Sequence, residues 1–196
     1  MPRTYCYSAD FDDETEKLFK EAVFLGEGHN GIVYELPSNK AIKIFQDAKC
    51  CKEEGEILKK VSKSEYFPRI YNLGKFYIVR DKIRGNRLDH YIKKKGFSYE
   101  ISELLYKLMI EFKKLNFTKI DARCRDIYIT NDKNIMVIDP KQCYKKKVKY
   151  PRHLMKGLEK VGVLESFIED LRIIDKKIAM DWEKRYNQYL QNREVE

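Results

Sequence analysis

The sequence has few histidines, no cysteine pattern typical of a zinc site or a disulfide framework, and no long apolar run. Only three histidines occur in 196 residues, and the five cysteines, an odd number, show no metal-ligand spacing. We therefore predict reduced thiols rather than a disulfide framework. No run of 18 apolar residues occurs, and the N-terminal stretch lacks the apolar region of a signal peptide. These absences predict a cytoplasmic protein that does not enter a membrane.

Positive charge is the main compositional bias. Lys and Arg number 40 against 31 Asp and Glu, which gives a formal net charge of +9. Two lysine triplets, at residues 93–95 and 145–147, form local clusters. Such runs are more often solvated faces than nucleic-acid sites, although they can attract nucleotides or acidic proteins. The charge therefore permits an acidic partner and does not identify one.

A glycine-rich stretch near the N-terminus is the first informative motif. Gly26, Gly28 and Gly31 form G-x-G-x-x-G, and Val33 follows two residues later. Glycines let the backbone approach a polyphosphate and leave N–H groups available to donate, although an ordinary hairpin can contain the same pattern. The β-branched and aromatic residues after Gly31 predict a strand, whereas a dinucleotide site needs a helix at that point.

The next predicted strand, residues 41–45, contains a lysine in an apolar run. A charge at such a position is costly unless it meets an anion, so Lys43 requires an acidic partner. A helix is predicted over residues 48–62, and Glu54 lies on its apolar stripe four residues after Cys50. We expect Lys43 to pair with Glu54. The alternative is a glutamate that extends to water.

Acidic residues bracket a second predicted hairpin further along the chain. Its strands are expected at residues 127–130 and 135–138, with Asp126 and Asp139 at the two open ends and Asp121 shortly before. Two carboxylates on one rigid hairpin suit a hard cation that prefers oxygen ligands. Aspartates also cap helices and turns, so this pattern alone leaves both interpretations open.

The remaining pattern predicts strands followed by helices. Strands are expected at residues 18–26, 31–36, 40–46 (the strand that contains Lys43), 69–73 and 76–79. Helices are expected at 87–95 and 99–117. A polar arm or helical turn is expected over residues 1–16 and a turn at 83–86. The residues after Asp139 show helical stripes.

Together these motifs resemble the protein-kinase superfamily, especially its compact bacterial and RIO-like members. The resemblance covers about residues 20–142, where G-x-G-x-x-G-x-V, A-I-K and three aspartates occur in the order of the family. It implies an α+β, minimal two-lobed kinase-like fold. The N-lobe would span residues 1–83, with a sheet and one helix, and a truncated helical C-lobe would span residues 84–196.

The resemblance also implies a role for each motif residue. The glycine-rich turn would cover the phosphates of ATP, the lysine would contact the α- and β-phosphates, and a linker after the fifth strand would meet adenine. The implied ATP-binding residues are Gly26, Gly28, Gly31, Val33, Lys43, Glu54, Asp81 and Lys82. Asp121 and Arg123 would be catalytic together with the lysine. Asp126 and Asp139 would ligate Mg²⁺, with Mn²⁺ as an alternative.

The sequence departs from the family pattern at several of these motifs. Lys119-Ile120 replaces the H-R of H-R-D, and D-F-G becomes Asp139-Pro140-Lys141. Arg80 occupies the position where the family usually has an apolar gatekeeper, and no A-P-E follows. The resemblance implies ATP-dependent transfer to a serine or threonine hydroxyl of an unidentified protein. The alternatives are a pseudokinase that acts as a binding module and a small-molecule kinase, with nucleic-acid binding ranked last.

Overall fold

The computed structural model describes residues 10–140 and 142–194. The first nine residues of the predicted arm, Cys6 and Lys141 lie outside the described residues. The chain divides into two compact units, Met1–Ile83 and Arg84–Glu196. Both combine helices with antiparallel strands. In the described part of the chain, no helix is both long enough and apolar enough to cross a bilayer.

The first unit is a five-stranded antiparallel sheet with a helix against each face. Its elements, in chain order, are α1 (Asp13–Phe19), β1 (Val23–Gly28), β2 (Gly31–Leu36), β3 (Lys40–Phe45), α2 (Ala48–Lys60), β4 (Ile70–Leu73) and β5 (Tyr77–Asp81). The strand order is β1-β2-β3-β5-β4. Because side chains alternate along a strand, neighbouring residues of β3 belong to different faces of the sheet.

Helix α1 covers one face of this sheet. Leu18 and Phe19 pack against a buried cluster that includes Ile42 and Ile44. The side chain of Asp12 caps the helix by accepting a hydrogen bond of 2.8 Å from Thr15 N. The prediction of a strand over residues 18–26 is therefore wrong in its first part, because the cap and the acidic first turn stabilise a helix there.

Asp12 also joins α1 to the far edge of the sheet, and this contact predicts a pH effect. Its carboxylate accepts hydrogen bonds from Thr15 N and from the side-chain amide of Asn72, and these bonds lower the pKa of Asp12 to about 2. A lowered pKa contributes stability above the ordinary value of 3.8, and the contribution is lost as pH falls toward about 2. We expect Asp12→Asn, which keeps a capping oxygen, to flatten the decline in urea midpoint between pH 4 and 2. An unchanged slope would contradict this role.

Helix α2 packs against the opposite face. Cys51 contacts Phe45 and Ile78 in a buried cluster, whereas Cys50 is only partly buried. The inward cysteine is therefore Cys51, one residue later than the sequence pattern suggested. Burial, with Glu54 nearby, raises the pKa of the Cys51 thiol to about 12, so this side chain stays protonated at neutral pH.

Over its described residues, the second unit combines a three-stranded antiparallel sheet with five α-helices and a short 3-10 helix at Cys124–Asp126. Its elements, in chain order, are β6 (Gly85–Arg87), α3 (Leu88–Lys95), α4 (Tyr99–Lys114), β7 (Ile127–Thr130), β8 (Ile135–Val137), α5 (Arg152–Lys160), α6 (Leu164–Ile174) and α7 (Lys176–Glu194). The predicted hairpin over residues 127–138 is confirmed, with Tyr128 opposite Met136. Leu105, Leu108 and Leu171, from α4 and α6, are fully buried.

Residues 85–87 differ from the prediction. The sequence favours a turn because Gly85 and Asn86 are adjacent, but these residues form β6 and pair with β7. A Cβ atom on Gly85 would lie 2.2 Å from the Ile129 carbonyl oxygen. The glycine therefore allows two strands to approach closely, which is a second common use of glycine in sheets.

Candidate functional site

An inward-facing ion pair is the most specific feature of the first unit. Lys43 Nζ lies 2.5 Å from Glu54 Oε2, and the two side chains are 11% and 4% exposed. β3 supplies the lysine. α2 supplies the glutamate. The start of this helix is fixed by its N-cap Asp47, which accepts a 2.6 Å hydrogen bond from Lys49 N. The pairing expected from the sequence is present.

The cross-strand register places the other motif residues beside Lys43. Lys43 pairs with Val33 on β2 and with Ile78 on β5, and Val33 pairs in turn with Gly26 on β1. Directly opposed residues of antiparallel strands share a face of the sheet. The glycine-rich turn, Val33 and Lys43 therefore lie on one face, which is also the face against which α2 packs.

The three motif glycines have different structural explanations. Gly31 has φ +153°, and a Cβ atom there would lie 1.9 Å from the Ile44 carbonyl oxygen, so packing within the sheet requires glycine. A Cβ atom on Gly26 or Gly28 would meet nothing within 4 Å. The fold does not require glycine at these two positions. A ligand that approaches the backbone would explain both.

This difference predicts opposite responses to alanine. We expect Gly31→Ala to destabilise the protein by about 2 kcal/mol or more, since the Cβ clash must be relieved by moving backbone. Gly28→Ala should change the free energy of unfolding by no more than about 0.5 kcal/mol. If the turn holds nucleotide phosphates, the same substitution should weaken nucleotide binding. Urea denaturation and nucleotide titration measure the two effects. If Gly28→Ala binds nucleotide as well as the wild type, the glycine-rich turn does not hold phosphates.

The predicted adenine linker has hydrogen-bond partners within its own unit. Asp81 N donates to Arg69 O and Lys82 N donates to Asn39 O, both at 3.0 Å. The buried Arg80 donates from Nη1 to the Asp81 carbonyl oxygen at 3.2 Å. An adenine contact through these backbone groups would therefore have to share or replace existing bonds.

In the second unit, the structure brings the three predicted aspartates together. Asp121, Asp126 and Asp139 line one pocket of about 20 Å³, with Lys119 also in its wall. The hairpin holds the last two near each other because Ile138 N donates to the Asp126 carbonyl oxygen at 3.0 Å. A pocket of this size holds about one water molecule or a small cation. Asp126 is half-buried, with 24% of its side chain exposed.

The carboxylates do not form a complete protein cage for a metal. Over residues 10–140 and 142–194, no group of three or more His, Cys, Asp or Glu side chains is arranged to hold an ion. Mg²⁺ usually binds one or two carboxylates and takes its other ligands from water and substrate phosphates. Asp126 and Asp139 therefore fit a magnesium that a nucleotide helps to hold.

Asp121 makes contacts that the sequence did not indicate. Its side chain is fully buried and accepts hydrogen bonds from His153 N at 3.0 Å, His153 Nδ1 at 2.5 Å and Leu154 N at 3.3 Å. These donors lie in the first turn of α5, so Asp121 satisfies the start of that helix. The predicted catalytic partner Arg123 is exposed. His153 is 32 residues away in sequence, and no local pattern marks it.

Comparison of the chain with protein-family models and with curated proteins finds no match. The kinase interpretation therefore depends on the motifs and on the geometry of the two units.

Proposed function

We propose that this protein is an ATP-dependent phosphotransferase of the protein-kinase type that transfers the γ-phosphate to a serine or threonine hydroxyl. The observation that supports this most strongly is the buried Lys43–Glu54 pair beside the glycine-rich turn. A buried lysine held by a carboxylate keeps its ammonium in place, where it can balance the charge of nucleotide phosphates. The proposal also includes a cytoplasmic location.

The first unit would bind the nucleotide. The N–H groups around Gly26 and Gly28 would donate to phosphate oxygens, and Lys43 would contact the α- and β-phosphates. Val33 shares the sheet face with Lys43 and offers an apolar surface for the base. Asp81 and Lys82 would supply the linker contact, at the expense of the bonds that their backbone groups now make.

The second unit would bind the metal. Asp126 and Asp139 would hold Mg²⁺, or Mn²⁺, through carboxylate oxygens. When bound, the ion would neutralise charge on the phosphates during transfer. Asp121 and Arg123 would act on the hydroxyl side of the reaction.

One observation favours a second function, a nucleotide- or partner-binding module without transfer. Every hydrogen bond described for the Asp121 carboxylate is with α5, and its side chain is fully buried. A catalytic aspartate must reach the hydroxyl that it orients, so Asp121 would have to release these contacts. The hydrogen bonds made by Arg80 and by the linker backbone also favour this second function, because they occupy groups that would otherwise contact adenine.

Two measurements on the full chain separate these functions. Mg·ATP should raise the melting temperature, because a ligand that binds only the native state adds about 2.7 kcal/mol at a hundredfold excess over its Kd. Labelled γ-phosphate should then appear on a protein acceptor, and Asp139→Ala should lower this transfer by about 100-fold or more. Binding without transfer would favour the module. Equal labelling by both proteins would contradict the role of Asp139.

A further inference from the structure

The positive charge of the chain is concentrated in the second unit. Met1–Ile83 contains 14 Lys and Arg and 14 Asp and Glu, whereas Arg84–Glu196 contains 26 and 17. The second unit therefore carries the whole formal charge of +9. Within it, Lys145, Lys146, Lys147 and Lys149 are all exposed. We call residues 142–149, which include these lysines, the basic turn.

Backbone hydrogen bonds hold the basic turn in place. Lys145 N and Lys146 N donate to the Gln142 carbonyl oxygen at 3.1 and 3.0 Å. Thr118 Oγ1 donates to the Lys146 carbonyl oxygen at 2.8 Å, and Val148 N donates to Thr118 O at 2.9 Å. These bonds use no lysine side chain. These backbone bonds therefore do not explain why Lys146, Lys147 and Lys149 are lysines.

The basic turn adjoins the pocket that contains the three aspartates. Cys143, at the base of the turn, is 3% exposed and lines that pocket together with Phe117 and Lys119. The Cys143 carbonyl oxygen accepts a 3.1 Å hydrogen bond from Lys119 N, and the Tyr144 ring packs edge-on against Phe117. An extended molecule bound at the basic turn would therefore lie next to the candidate metal site.

Among the described side chains, three lysines of the basic turn, Lys146, Lys147 and Lys149, lack a carboxylate partner. The other lysine triplet, residues 93–95, has an ordinary explanation. It occupies the last turn of α3, where the helix C-terminus favours cations. Repulsion among the lysines of the basic turn would be relieved by an anionic ligand.

We propose that the basic turn binds an acidic segment of a protein, and that this protein is the phosphate acceptor. The second clause rests on the proposed function, whereas the binding does not. A protein fits better than a nucleic acid for two reasons. The turn is short, whereas nucleic-acid sites commonly neutralise several phosphates along a groove. Its aromatic ring, Tyr144, is partly buried and already contacts Phe117, whereas single-stranded nucleic acids usually stack on several exposed rings.

Peptide binding without nucleotide tests the surface directly. The probes are a fluorescein-labelled peptide with one serine flanked by glutamates, the same peptide with glutamines, and a single-stranded oligonucleotide of equal charge. The test variant is Lys146→Gln/Lys147→Gln/Lys149→Gln. The matched control, Lys93→Gln/Lys94→Gln/Lys95→Gln, removes the same charge elsewhere in the unit. Thermal melts establish that both variants are folded.

We expect the wild type to prefer the acidic peptide, with affinity that falls as salt is added. The test variant should raise Kd about tenfold, since each exposed charge pair contributes modestly, and the control should change it by less than about twofold. Equal losses in both variants would overturn the proposal, because net charge would then suffice. Absent peptide binding, or tighter oligonucleotide binding, would overturn it too.

The same variants distinguish this inference from the proposed function. If the peptide binds through the basic turn but Mg·ATP never labels its serine, the surface is supported and the role as acceptor site is overturned. If labelling occurs and the test variant leaves its KM for the acidic peptide unchanged, transfer is supported and the basic turn is not the binding surface.

Discussion

Replacing Lys43 with methionine should lower phosphoryl transfer by about 100- to 1,000-fold, because the site would lose the cation that balances developing charge. The same change should lower the free energy of unfolding by about 3 kcal/mol, since it removes one member of a buried ion pair. Urea denaturation and labelled-phosphate transfer measure the two losses separately. Transfer measured without urea, at a temperature where the variant is still folded, excludes loss of fold as the cause.

A double substitution separates structure from chemistry. Replacing a whole buried ion pair with apolar side chains is often neutral for stability, whereas removing one partner is costly. We therefore expect Lys43→Met/Glu54→Leu to recover most of the stability that Lys43→Met loses. Its nucleotide binding and transfer should stay at the level of the single variant. Recovered transfer in the double variant would show that the pair only supports the fold.

Asp121→Ala should cause a second large effect, a loss of about 3 kcal/mol in the free energy of unfolding. The change leaves the partly buried N–H group of His153 and the buried N–H group of Leu154 without the carboxylate that accepts from them. Asp121→Asn should cost only about 1 kcal/mol, because the amide oxygen can still accept from the backbone. Urea denaturation of both variants checks the difference.

The matched control is His153→Ala, which keeps the His153 N–H donor and removes only the imidazole. Its stability should fall between the wild type and Asp121→Ala. If the urea midpoint of Asp121→Ala equals that of the wild type, the contacts with α5 do not stabilise the protein. If Asp121→Asn is folded but inactive in transfer, a catalytic role for Asp121 gains support.

Local sequence patterns predicted the parts of the site that lie close together in the chain. Lys43 and Glu54 are 11 residues apart, and their pairing follows from an apolar strand next to a helix with a clear stripe. The hairpin between Asp126 and Asp139 is also local, with strong β-formers on both sides of a polar turn. In both cases the periodicity of one or two elements determines which side chains face inward.

Contacts between distant segments could not be predicted in this way. The strand at Gly85 depends on a partner more than 40 residues later, and its own residues favour a turn. His153 joins Asp121 only because α5 begins beside it. Helix α1 was expected only as a polar arm or helical turn over residues 1–16, and its last residues, Leu18 and Phe19, were assigned to a strand. Its apolar residues pack against Ile42 and Ile44, and the polar segment alone gives little sign of that contact.

The way α1 covers the sheet determines which fragments of the first unit can be produced. A recombinant piece that began at the glycine-rich turn would leave out Phe11, Leu18 and Phe19, which pack on the face that contains Ile42 and Ile44. Ile42 and Ile44 would then be exposed to solvent, and the exposed apolar faces of different molecules would associate. Domain boundaries drawn from the glycine-rich motif alone would therefore give an insoluble product.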